Sequence, residues 1–537
     1  MLYLKFWLKV ISLLLLWGVL LPQFVHAQHG LPDLSFGGGD ALVTTNFSAN
    51  SHAVGQAVAV QPDGKIVVAG STWMPNADGS GRLTLSRYLP NGTLDNTFNG
   101  SGKLTATVAD MEAYAQALAI QPDGKIIAIG AVFNDTKSMI ALFRFNANGS
   151  PDNSFDTDGI VTTDVGTTYQ SLSALALQPD GKIIVGGYAG NANEPLDKFL
   201  VVRYKPNGML DNSFDSDGIV ITSVGDAYTD VNSVVVQPDG KIIAAGYAGM
   251  NGFEDFAAVR YNANGTLDPS FNGDGIVMAS FTNGDDGASG AVLQPDGKIV
   301  LGGYSGSGTS DPEFAVARLT ASGYLDNTFH GDGMATAPVS SYADQARAII
   351  LQPDGKVVLG GYAHSNIPGG SSDFALVRFT TNGIPDLTFD GDGVAIFPAS
   401  VSSDFIYGLA MQPDGKIVAS GNAINVNSGF QEIAVVRFFS GLTVGTNDTN
   451  AYANYISLYP NPIREQATLE YELATSEKVE VNLYDIQGRF IQNILPTAEK
   501  PVGKHSETLL FASDLPPGTY LLTIETKSGI TAIEAIF

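Results

Sequence analysis

Between residues 31 and 440 the chain repeats one pattern of short apolar runs separated by Gly, Pro, Asn and Asp. In one unit the runs are Ala174–Leu177, Ile183–Tyr188, Phe199–Tyr204 and Gly218–Thr222. Each run has the length of a strand, is rich in β-branched or aromatic residues, and is bounded by turn formers. The pattern therefore predicts four β-strands in every unit.

Two sequence markers show how often the unit occurs. The pentapeptide Gln-Pro-Asp-Gly-Lys follows the first run, where Pro fixes φ and Gly accepts the left-handed conformation of a hairpin turn. It begins at Gln61, Gln121, Gln178, Gln237, Gln294, Gln352 and Gln412. An Asp three residues before a Phe recurs in step, at Asp33, Asp95, Asp152, Asp211, Asp268, Asp326 and Asp386. The chain thus contains seven copies of one unit.

Units of 57 to 60 residues with four antiparallel strands suit the blades of a propeller, whereas solenoid repeats usually have about 20–45 residues. We predict an all-β fold with a seven-bladed β-propeller over residues 28–440. The segment Asp40–Thr45 matches the last strand of a unit, and the seventh unit stops after its third strand, Val435–Phe438. The N-terminal strand should therefore complete the last blade, which leaves no long unpaired edge.

The repeated segments Gln-Pro-Asp-Gly-Lys-Ile, Val-Arg-Tyr and Asn-Gly-x-Leu-Asp resemble the bacterial delta-60 repeat over residues 31–440. The resemblance implies a propeller-like domain of large bacterial surface or secreted proteins. It implies no defined activity.

The first 27 residues have the features of a signal peptide. Lys5 and Lys9 supply positive charge, residues 10–21 are apolar, and Val25-His26-Ala27 resembles a cleavage site, so we expect cleavage after Ala27. The alternative is an uncleaved membrane anchor, but the apolar run is shorter than the about 20 residues of a membrane span.

The charge excludes several classes of partner. The chain has 28 Lys and Arg against 54 Asp and Glu, a net charge of −26, which repels nucleic acids and anionic lipids. The charge serves solubility outside the cell or gathers cations. The chain has no Cys, so disulfides, thiolate metal sites and Cys nucleophiles are excluded.

A residue present in all seven copies serves something that every blade needs. An Arg ends the third strand of each unit shortly before the repeated Asp, and we predict that Arg and Asp pair within or between blades, with the repeated Phe as a core anchor. A ligand role is the alternative. The Arg residues are Arg87, Arg144, Arg203, Arg260, Arg318, Arg378 and Arg437.

Four Asp- or Asn-rich turns resemble fragments of calcium loops: 156–159, 215–218, 272–275 and 390–393. In the first turn the initial carboxylate and the terminal Glu of an EF-hand loop are both missing. We therefore predict tight turns and no cofactor, with calcium as the alternative.

Function should lie where the copies differ, in the connection between the second and third strands and in the connection between units, which share one face of a propeller. The candidates for binding a glycan or a protein are Tyr114, Tyr169, Tyr228, Tyr342 and Trp73, beside acidic groups such as Asp230 and Asp344. The alternative is that these aromatic side chains only cover blade edges.

Catalytic motifs are absent from the sequence. The His residues after residue 27 form no zincin pair or triad, and no Gly-Lys pair is followed by Ser or Thr as in a phosphate-binding loop. A polysaccharide hydrolase or lyase that uses two carboxylates stays open, because their separation depends on the fold.

After a polar linker at 441–452, short alternating strands at 468–473, 478–484, 490–495, 507–511 and 520–526 predict a small immunoglobulin-like β-sandwich over 453–537. The segments Leu458-Tyr459-Pro460-Asn461-Pro462, Val481-Asn482-Leu483-Tyr484-Asp485 with Gly488-Arg489, and Leu515-Pro516-Pro517-Gly518-Thr519-Tyr520 resemble the type A sorting domain of type IX secretion.

That resemblance implies a Bacteroidota-type cell, export by Sec and then across the outer membrane by the type IX machinery, and removal of the domain with attachment to lipopolysaccharide. The chain ends in Ile533-Glu534-Ala535-Ile536-Phe537, whereas such domains commonly end in a basic segment. We expect a secreted or cell-surface propeller that binds a glycan or a protein; the alternatives are a polysaccharide-active enzyme and a purely structural surface component.

Overall fold

The computed structural model describes residues 29–442 except 75–80, 109–110, 135–136, 192–196, 307–310 and 365–369, and residues 456–536 except 460–462, 464–465, 474–475, 486–489, 512–514, 516–518 and 527–528. The described residues form 35 β-strands and no helix, so none of their segments is a helix long and apolar enough to cross a membrane. The predicted cleavage site at Ala27 lies outside them.

Residues 29–442 fold into seven four-stranded antiparallel sheets, the predicted blades. The first four blades are β2 (His52–Val60), β3 (Ile66–Trp73), β4 (Arg82–Tyr88) and β5 (Lys103–Ala106); β6 (Glu112–Ile120), β7 (Ile126–Asn134), β8 (Lys137–Phe145) and β9 (Ile160–Thr163); β10 (Tyr169–Leu177), β11 (Ile183–Gly190), β12 (Lys198–Tyr204) and β13 (Ile219–Thr222); and β14 (Thr229–Val236), β15 (Ile242–Met250), β16 (Phe253–Tyr261) and β17 (Ile276–Ala279).

The last three blades are β18 (Asp286–Leu293), β19 (Ile299–Ser305), β20 (Glu313–Leu319) and β21 (Met334–Ala337); β22 (Asp344–Leu351), β23 (Val357–His364), β24 (Ser372–Phe379) and β25 (Val394–Phe397); and β26 (Phe405–Met411), β27 (Ile417–Ile424) and β28 (Gln431–Phe438), completed by β1 (Leu42–Thr45).

The N-terminal strand is the fourth strand of the last blade, as the sequence predicts. Leu42 to Thr45 of β1 pair antiparallel with Val436 to Ile433 of β28. Each innermost strand contacts the innermost strand of the next blade, and β26 of the seventh blade contacts β2 of the first. Apolar cores fill the spaces between neighbouring blades; Phe214, Val231 and Val259, for example, are fully buried between the third and fourth blades.

Residues 456–536 form the predicted sandwich, with two strands that the apolar pattern missed. One sheet has the order β29, β30, β33 and the other β32, β31, β34, β35. Leu469, Val481 and Leu522 are fully buried between them. The missed strands are β29 and β35; the domain consists of β29 (Ile456–Tyr459), β30 (Gln466–Leu473), β31 (Glu477–Asp485), β32 (Phe490–Lys500), β33 (Gly503–Leu510), β34 (Thr519–Thr526) and β35 (Gly529–Ile536).

Candidate functional site

The two ends of the blades differ in what they carry. The turn between the first and second strands and the connection between the third and fourth strands lie at one end, which we call the scaffold face. The connection between the second and third strands and the connection between blades lie at the other end, which we call the variable face.

The scaffold face carries one ionic cluster in every blade. In the first blade Arg87 Nε lies 2.9 Å from Asp95 Oδ2, and the guanidinium lies 4.7 Å from the ring centroid of Phe98. Arg87 also donates to the carbonyl of Ala147 in the next unit. Lys65, from the Gln-Pro-Asp-Gly-Lys turn, lies 3.8 Å from the same carboxylate. The cluster therefore joins two loops of one blade to the neighbouring blade.

All seven units repeat this geometry, and in the last unit Asp33 comes from the N-terminal segment. The Arg-to-Asp N···O distances are 2.7–2.9 Å, and the guanidinium-to-ring distances are 4.3–4.8 Å. The pairs are Arg87–Asp95, Arg144–Asp152, Arg203–Asp211, Arg260–Asp268, Arg318–Asp326, Arg378–Asp386 and Arg437–Asp33.

The environment of these Asp residues favours their charged form. Burial alone would raise the pKa of the Asp152 carboxyl, but hydrogen bonds from Ser154 and the charges of Lys125 and Arg144 lower it to about 2. The same causes lower the pKa of Asp326 and of Asp386 to about 2. A cavity of about 330 Å³ on this face is lined by Asp63, Lys65 and Arg87 of this repeated cluster, so it belongs to the scaffold.

The Asp-rich turns on the scaffold face use their carboxylates internally. Asp158 Oδ1 accepts a hydrogen bond from the Ile160 backbone N–H at 2.9 Å, and Asp392 Oδ1 accepts one from Val394 at 2.9 Å. Asp156 and Thr157 have positive φ angles of 44° and 74°, which marks a tight turn. Among the described residues no group of three or more Asp, Glu or His side chains could hold a metal ion.

Near the variable face every innermost strand contains a β-bulge. In the seven units the second strand carries a Gly here, such as Gly246, because a Cβ would overlap a carbonyl oxygen of the innermost strand, in this case that of Asp230. The bulged residue is polar in every blade and varies from blade to blade, as expected where a bulge re-aims side chains at a site. These residues are Gln56, Gln116, Ser173, Asn232, Ser289, Arg347 and Tyr407.

Over the third, fourth and fifth blades the variable face combines acidic and Tyr side chains. Asp230 of β14 is paired with Tyr247 of β15. Burial is the main cause that raises the pKa of Tyr247, and the charges of Asp230 and Glu254 raise it further. Tyr304 and Tyr188 also raise this pKa, so these groups lie close together. The charge of Glu254 raises the pKa of Tyr304, and Tyr304 lowers that of Glu254. We call this group the acidic cleft: Tyr188, Asp197, Asp230, Tyr247, Glu254 and Tyr304.

The backbone supports this arrangement from adjoining blades. The Glu254 N–H donates to Asp285 Oδ1 at 3.1 Å, which ties the fourth blade to the connection that enters the fifth. The ring of Tyr304 lies over Gly287, where a Cβ would approach the ring to 2.8 Å. Gly287 therefore leaves room for Tyr304 to lie against the innermost strand.

The carboxyl groups of the cleft lack cations. Burial raises the pKa of Asp230 to about 7, and the charge of Asp197 adds to the shift. Burial also raises the pKa of Asp197 and, together with Asp285, that of Glu254. In the part of the chain that the structure describes, none of Asp197, Asp230 and Glu254 forms an ion pair, and the buried Asp230 Oδ1 has no hydrogen-bond partner. Partly buried carboxyls with such pKa shifts mark candidate functional sites.

Exposed apolar side chains border the cleft. Tyr228, Met250 and Phe253 are 66%, 45% and 41% exposed. The Gly249 N–H donates to the Tyr228 carbonyl at 2.9 Å, which holds the connection before β14 against the end of β15. Phe253 directly precedes Glu254 in the chain. Tyr228, Met250 and Phe253 therefore form an exposed apolar rim at this end of the fourth blade.

The structure does not bring the five aromatic candidates from the sequence together. Trp73 stacks on His52 at 5.2 Å, Tyr114 stacks on Phe133 at 5.5 Å, and Tyr342 lies 5.4 Å from His364. Tyr169 is 54% exposed in the third unit, and Tyr228 borders the cleft. Three of them lie on strands and not in the predicted connections: Trp73 ends β3, Tyr114 lies within β6 and Tyr169 begins β10. The strands extend farther toward the variable face than their apolar runs.

The sequence analysis identified Asp230 but not the Tyr side chains that lie near it in the cleft. A Gly-Tyr pair stands at the same place in four consecutive units, a signal visible in the sequence; its Tyr residues are Tyr188, Tyr247, Tyr304 and Tyr362. Asp344, which was grouped with Asp230, has another role: its Oδ2 accepts hydrogen bonds from the backbone N–H groups of Val339 and Ser340, so it folds its own loop.

In the C-terminal domain the structure describes part of the predicted sorting motif. Tyr520 is buried in the sandwich core, and Tyr459 and Asp485 end strands β29 and β31. The motif residues Pro460, Asn461, Pro462, Gly488, Pro517 and Gly518 lie outside the described residues.

Comparison with known proteins identifies both parts of the chain. A β-propeller domain family of unknown function, DUF5122, matches residues 61–98, 121–155, 178–214, 237–271, 294–329, 352–389 and 412–444. The secretion system C-terminal sorting domain matches residues 457–536. No curated protein sequence matches the chain.

Three solved structures are similar to the chain at low identity. A fungal alcohol oxidase of the AA5 family in complex with copper shares 14% identity over 92% of this chain and 98% of its own, with a TM-score of 0.43. A polysaccharide lyase of family PL25, an ulvan lyase, shares 10% over 74% and 96%, with a TM-score of 0.42. A Penicillium chrysogenum α-L-arabinanase complexed with arabinobiose shares 10% over 74% and 95%, with a TM-score of 0.40. At these TM-scores the similarities carry no functional information for this chain.

Proposed function

From a chain that consists of β-propeller repeats and a type IX sorting domain, and is therefore exported to the cell surface or the medium, we propose a carbohydrate-binding protein whose binding site is the acidic cleft. The observation that supports this is the convergence of three Tyr side chains and three carboxyls without cations from adjoining blades. Sugar rings stack on aromatic faces, and carboxylates accept hydrogen bonds from sugar hydroxyls.

The charge of the site narrows the class of carbohydrate. Asp197, Asp230, Glu254 and the neighbouring Asp285 are all acidic, and the whole chain has a net charge of −26. Uronates and sulfated sugars would be repelled by this field. The proposed ligands are therefore carbohydrates without negative charge.

The test is a glycan array probed with the mature protein, followed by titration of the strongest ligand. Tyr247→Ala and Tyr304→Ala should each weaken binding by about 5–10-fold, the equivalent of about 1–1.5 kcal/mol of lost stacking. Tyr324→Ala is the matched control, because Tyr324 is 56% exposed on the scaffold face. Binding that none of the cleft variants changes, or an array without a signal, would contradict the proposal.

A second candidate function is a polysaccharide-active enzyme, and Asp230 is the observation that favours it. A carboxyl with a pKa of about 7 keeps its proton near neutral pH and can act as a general acid if a second carboxylate lies within reach of the substrate. Release of reducing ends in the same array wells, lost in Asp230→Asn while binding persists, would place this function first. Binding without release would exclude it for the sugars tested.

A further inference from the structure

We infer that the acidic cleft selects an amino sugar, whose protonated amine lies against Asp197 and Asp230. This inference rests on the proposed carbohydrate-binding function and specifies its ligand. It follows from the charge balance of the cleft, from one unsatisfied buried oxygen and from the position of the Tyr rings.

The carboxyls of the cleft differ from the seven repeated Asp residues of the scaffold face in the cations around them. On the scaffold face each of the seven repeated Asp carboxylates has an Arg within 2.9 Å and a Lys within 3.8 Å. Within the described ranges, Asp197, Asp230 and Glu254 have no such cation. The positive charge of Arg347 lowers the pKa of Tyr304. Among the described residues no cation pairs with these three carboxyls, so a cation that pairs with them would come from the solvent or from a ligand.

The unsatisfied oxygen of Asp230 indicates where such a cation would bind. Asp230 Oδ1 is enclosed and has no hydrogen-bond partner, although buried polar atoms of a folded protein normally have one. An ammonium group has three N–H donors and no acceptor. Its charge-assisted hydrogen bonds to carboxylates are about twice as strong as hydrogen bonds between neutral groups. A sugar hydroxyl would satisfy the hydrogen bond, but only a cation would also stabilise the charged form of Asp230.

The Tyr rings favour the same group. Tyr247 is the cross-strand neighbour of Asp230. The charges of Asp230 and Asp197 both raise the pKa of Tyr188. A cation near the face of a Tyr ring is attracted to it, most strongly where water is excluded. Carboxylates and aromatic rings around one point thus form a cation site, while the sugar ring that carries the amine can stack on Tyr304 and the rim.

The experiment compares two oligosaccharides that differ only in the amine: glucosamine oligomers and N-acetylglucosamine oligomers of equal length. Both are titrated into the mature protein in 150 mM salt, where the Debye length of about 8 Å screens attraction by the overall charge. The parent protein should bind the free-amine oligomer about 10-fold more tightly.

Two variants separate the site from the net charge. Asp230→Asn should reduce the preference for the free amine at least several-fold, and Asp197→Asn serves as a second variant of the same site. Asp180→Asn removes one negative charge from an exposed side chain of the scaffold face, 54% exposed, and should leave the preference unchanged.

The outcomes separate the inference from the function on which it rests. Equal affinity of the parent for both oligomers, or an equal preference in Asp230→Asn and Asp180→Asn, would overturn charge selection while carbohydrate binding stands. No binding of any carbohydrate, in this titration or on the array, would overturn the proposed function as well. A preference lost only in the cleft variants would support both.

Discussion

The same side chain, Asp, occurs in opposite environments on the two faces of the propeller. On the scaffold face Asp152 contacts Arg144 and Lys125, and its pKa is lowered to about 2. On the variable face Asp230 is partly buried, and desolvation together with the charge of Asp197 raises its pKa to about 7. The scaffold face holds its carboxylates charged and paired with cations, whereas burial in the cleft favours the protonated form of carboxyls that have no cation partner among the described residues. The difference separates residues that stabilise the ring from residues available to a ligand.

The scaffold cluster and the acidic cleft also differ in how often they occur in the chain. The Arg, Asp, Lys and Phe cluster occurs seven times, and each copy joins a blade to its neighbour. The combination of Asp197, Asp230 and Glu254 occurs once, because the units carry different residues at these places: Ser171, Gly287 and Gln345 stand where the fourth unit has Asp230.

The largest expected effect is the loss of one scaffold carboxylate. Asp95→Asn should lower the free energy of unfolding by about 3–5 kcal/mol, because it leaves Arg87, whose side chain is 5% exposed, without its counter-charge. Chemical denaturation of the mature protein measures this.

Asp63→Asn is the matched control for that variant. Asp63 contacts the same Lys65 at 2.8 Å, but its side chain is 53% exposed, so its loss should change stability by less than about 0.5 kcal/mol. Similar losses in the two variants would show that the cluster does not stabilise the ring as a buried unit.

The second-largest expected effect is on how the stability of the fold depends on pH. Folding lowers the pKa of Asp152, Asp326 and Asp386, so their contribution to stability is present above about pH 4 and is lost as the pH falls toward 2. Asp230 has the opposite sign: its pKa rises from 3.8 to about 7, so its ionisation destabilises the fold as the pH rises from 4 through 7.

Asp230→Asn should therefore raise the thermal midpoint of the mature protein at pH 8, leave it nearly unchanged at pH 4, and leave the loss of stability below pH 4 intact. The gain at pH 8 should correspond to roughly 1 kcal/mol. Thermal unfolding at several pH values measures it. An equal gain at pH 4 and pH 8 would mean that packing, and not ionisation of Asp230, causes the change.

The sequence predicts the scaffold far better than the cleft, for a physical reason. Strand number, blade number and the β1 closure follow from local apolar runs and turn residues that repeat in register. The proximity of Arg and Asp in one unit also follows, because eight residues separate Arg87 from Asp95. The cleft depends on the approach of Asp197 of one blade to Asp230 of the next, which stands 33 positions farther along the chain and directly before a β-bulge.

The register at the bulge explains why the aromatic candidates were only partly right. Each apolar run ends before the bulge, so the sequence assigns the residues beyond it to loops. Pairing continues past the bulge, however, and the innermost strand reaches Tyr114 in β6 and Tyr169 in β10. Residues expected in connections are thereby placed on strands of separate blades.

The smallest expected effect separates two of those candidates. Tyr169 and Tyr228 each stand nine residues before the Gln of the next turn, in adjoining units, and both are more than half exposed. Neither substitution by Ala should change the free energy of unfolding by more than about 0.5 kcal/mol, because exposed side chains contribute little. Tyr228→Ala should weaken carbohydrate binding by about 3–5-fold, since Tyr228 borders the cleft beside Met250 and Phe253.

Tyr169→Ala, one blade away, should weaken it less than 2-fold, and titration of the parent and both variants with the same oligosaccharide makes the comparison. Equal losses would extend the binding surface to the connection between the second and third blades. An effect of Tyr169 alone would move the binding site away from the acidic cleft. The stability of both variants, measured in parallel, shows whether a change in affinity comes from contact with the ligand, because a Tyr that only covers a blade edge alters stability before it alters binding.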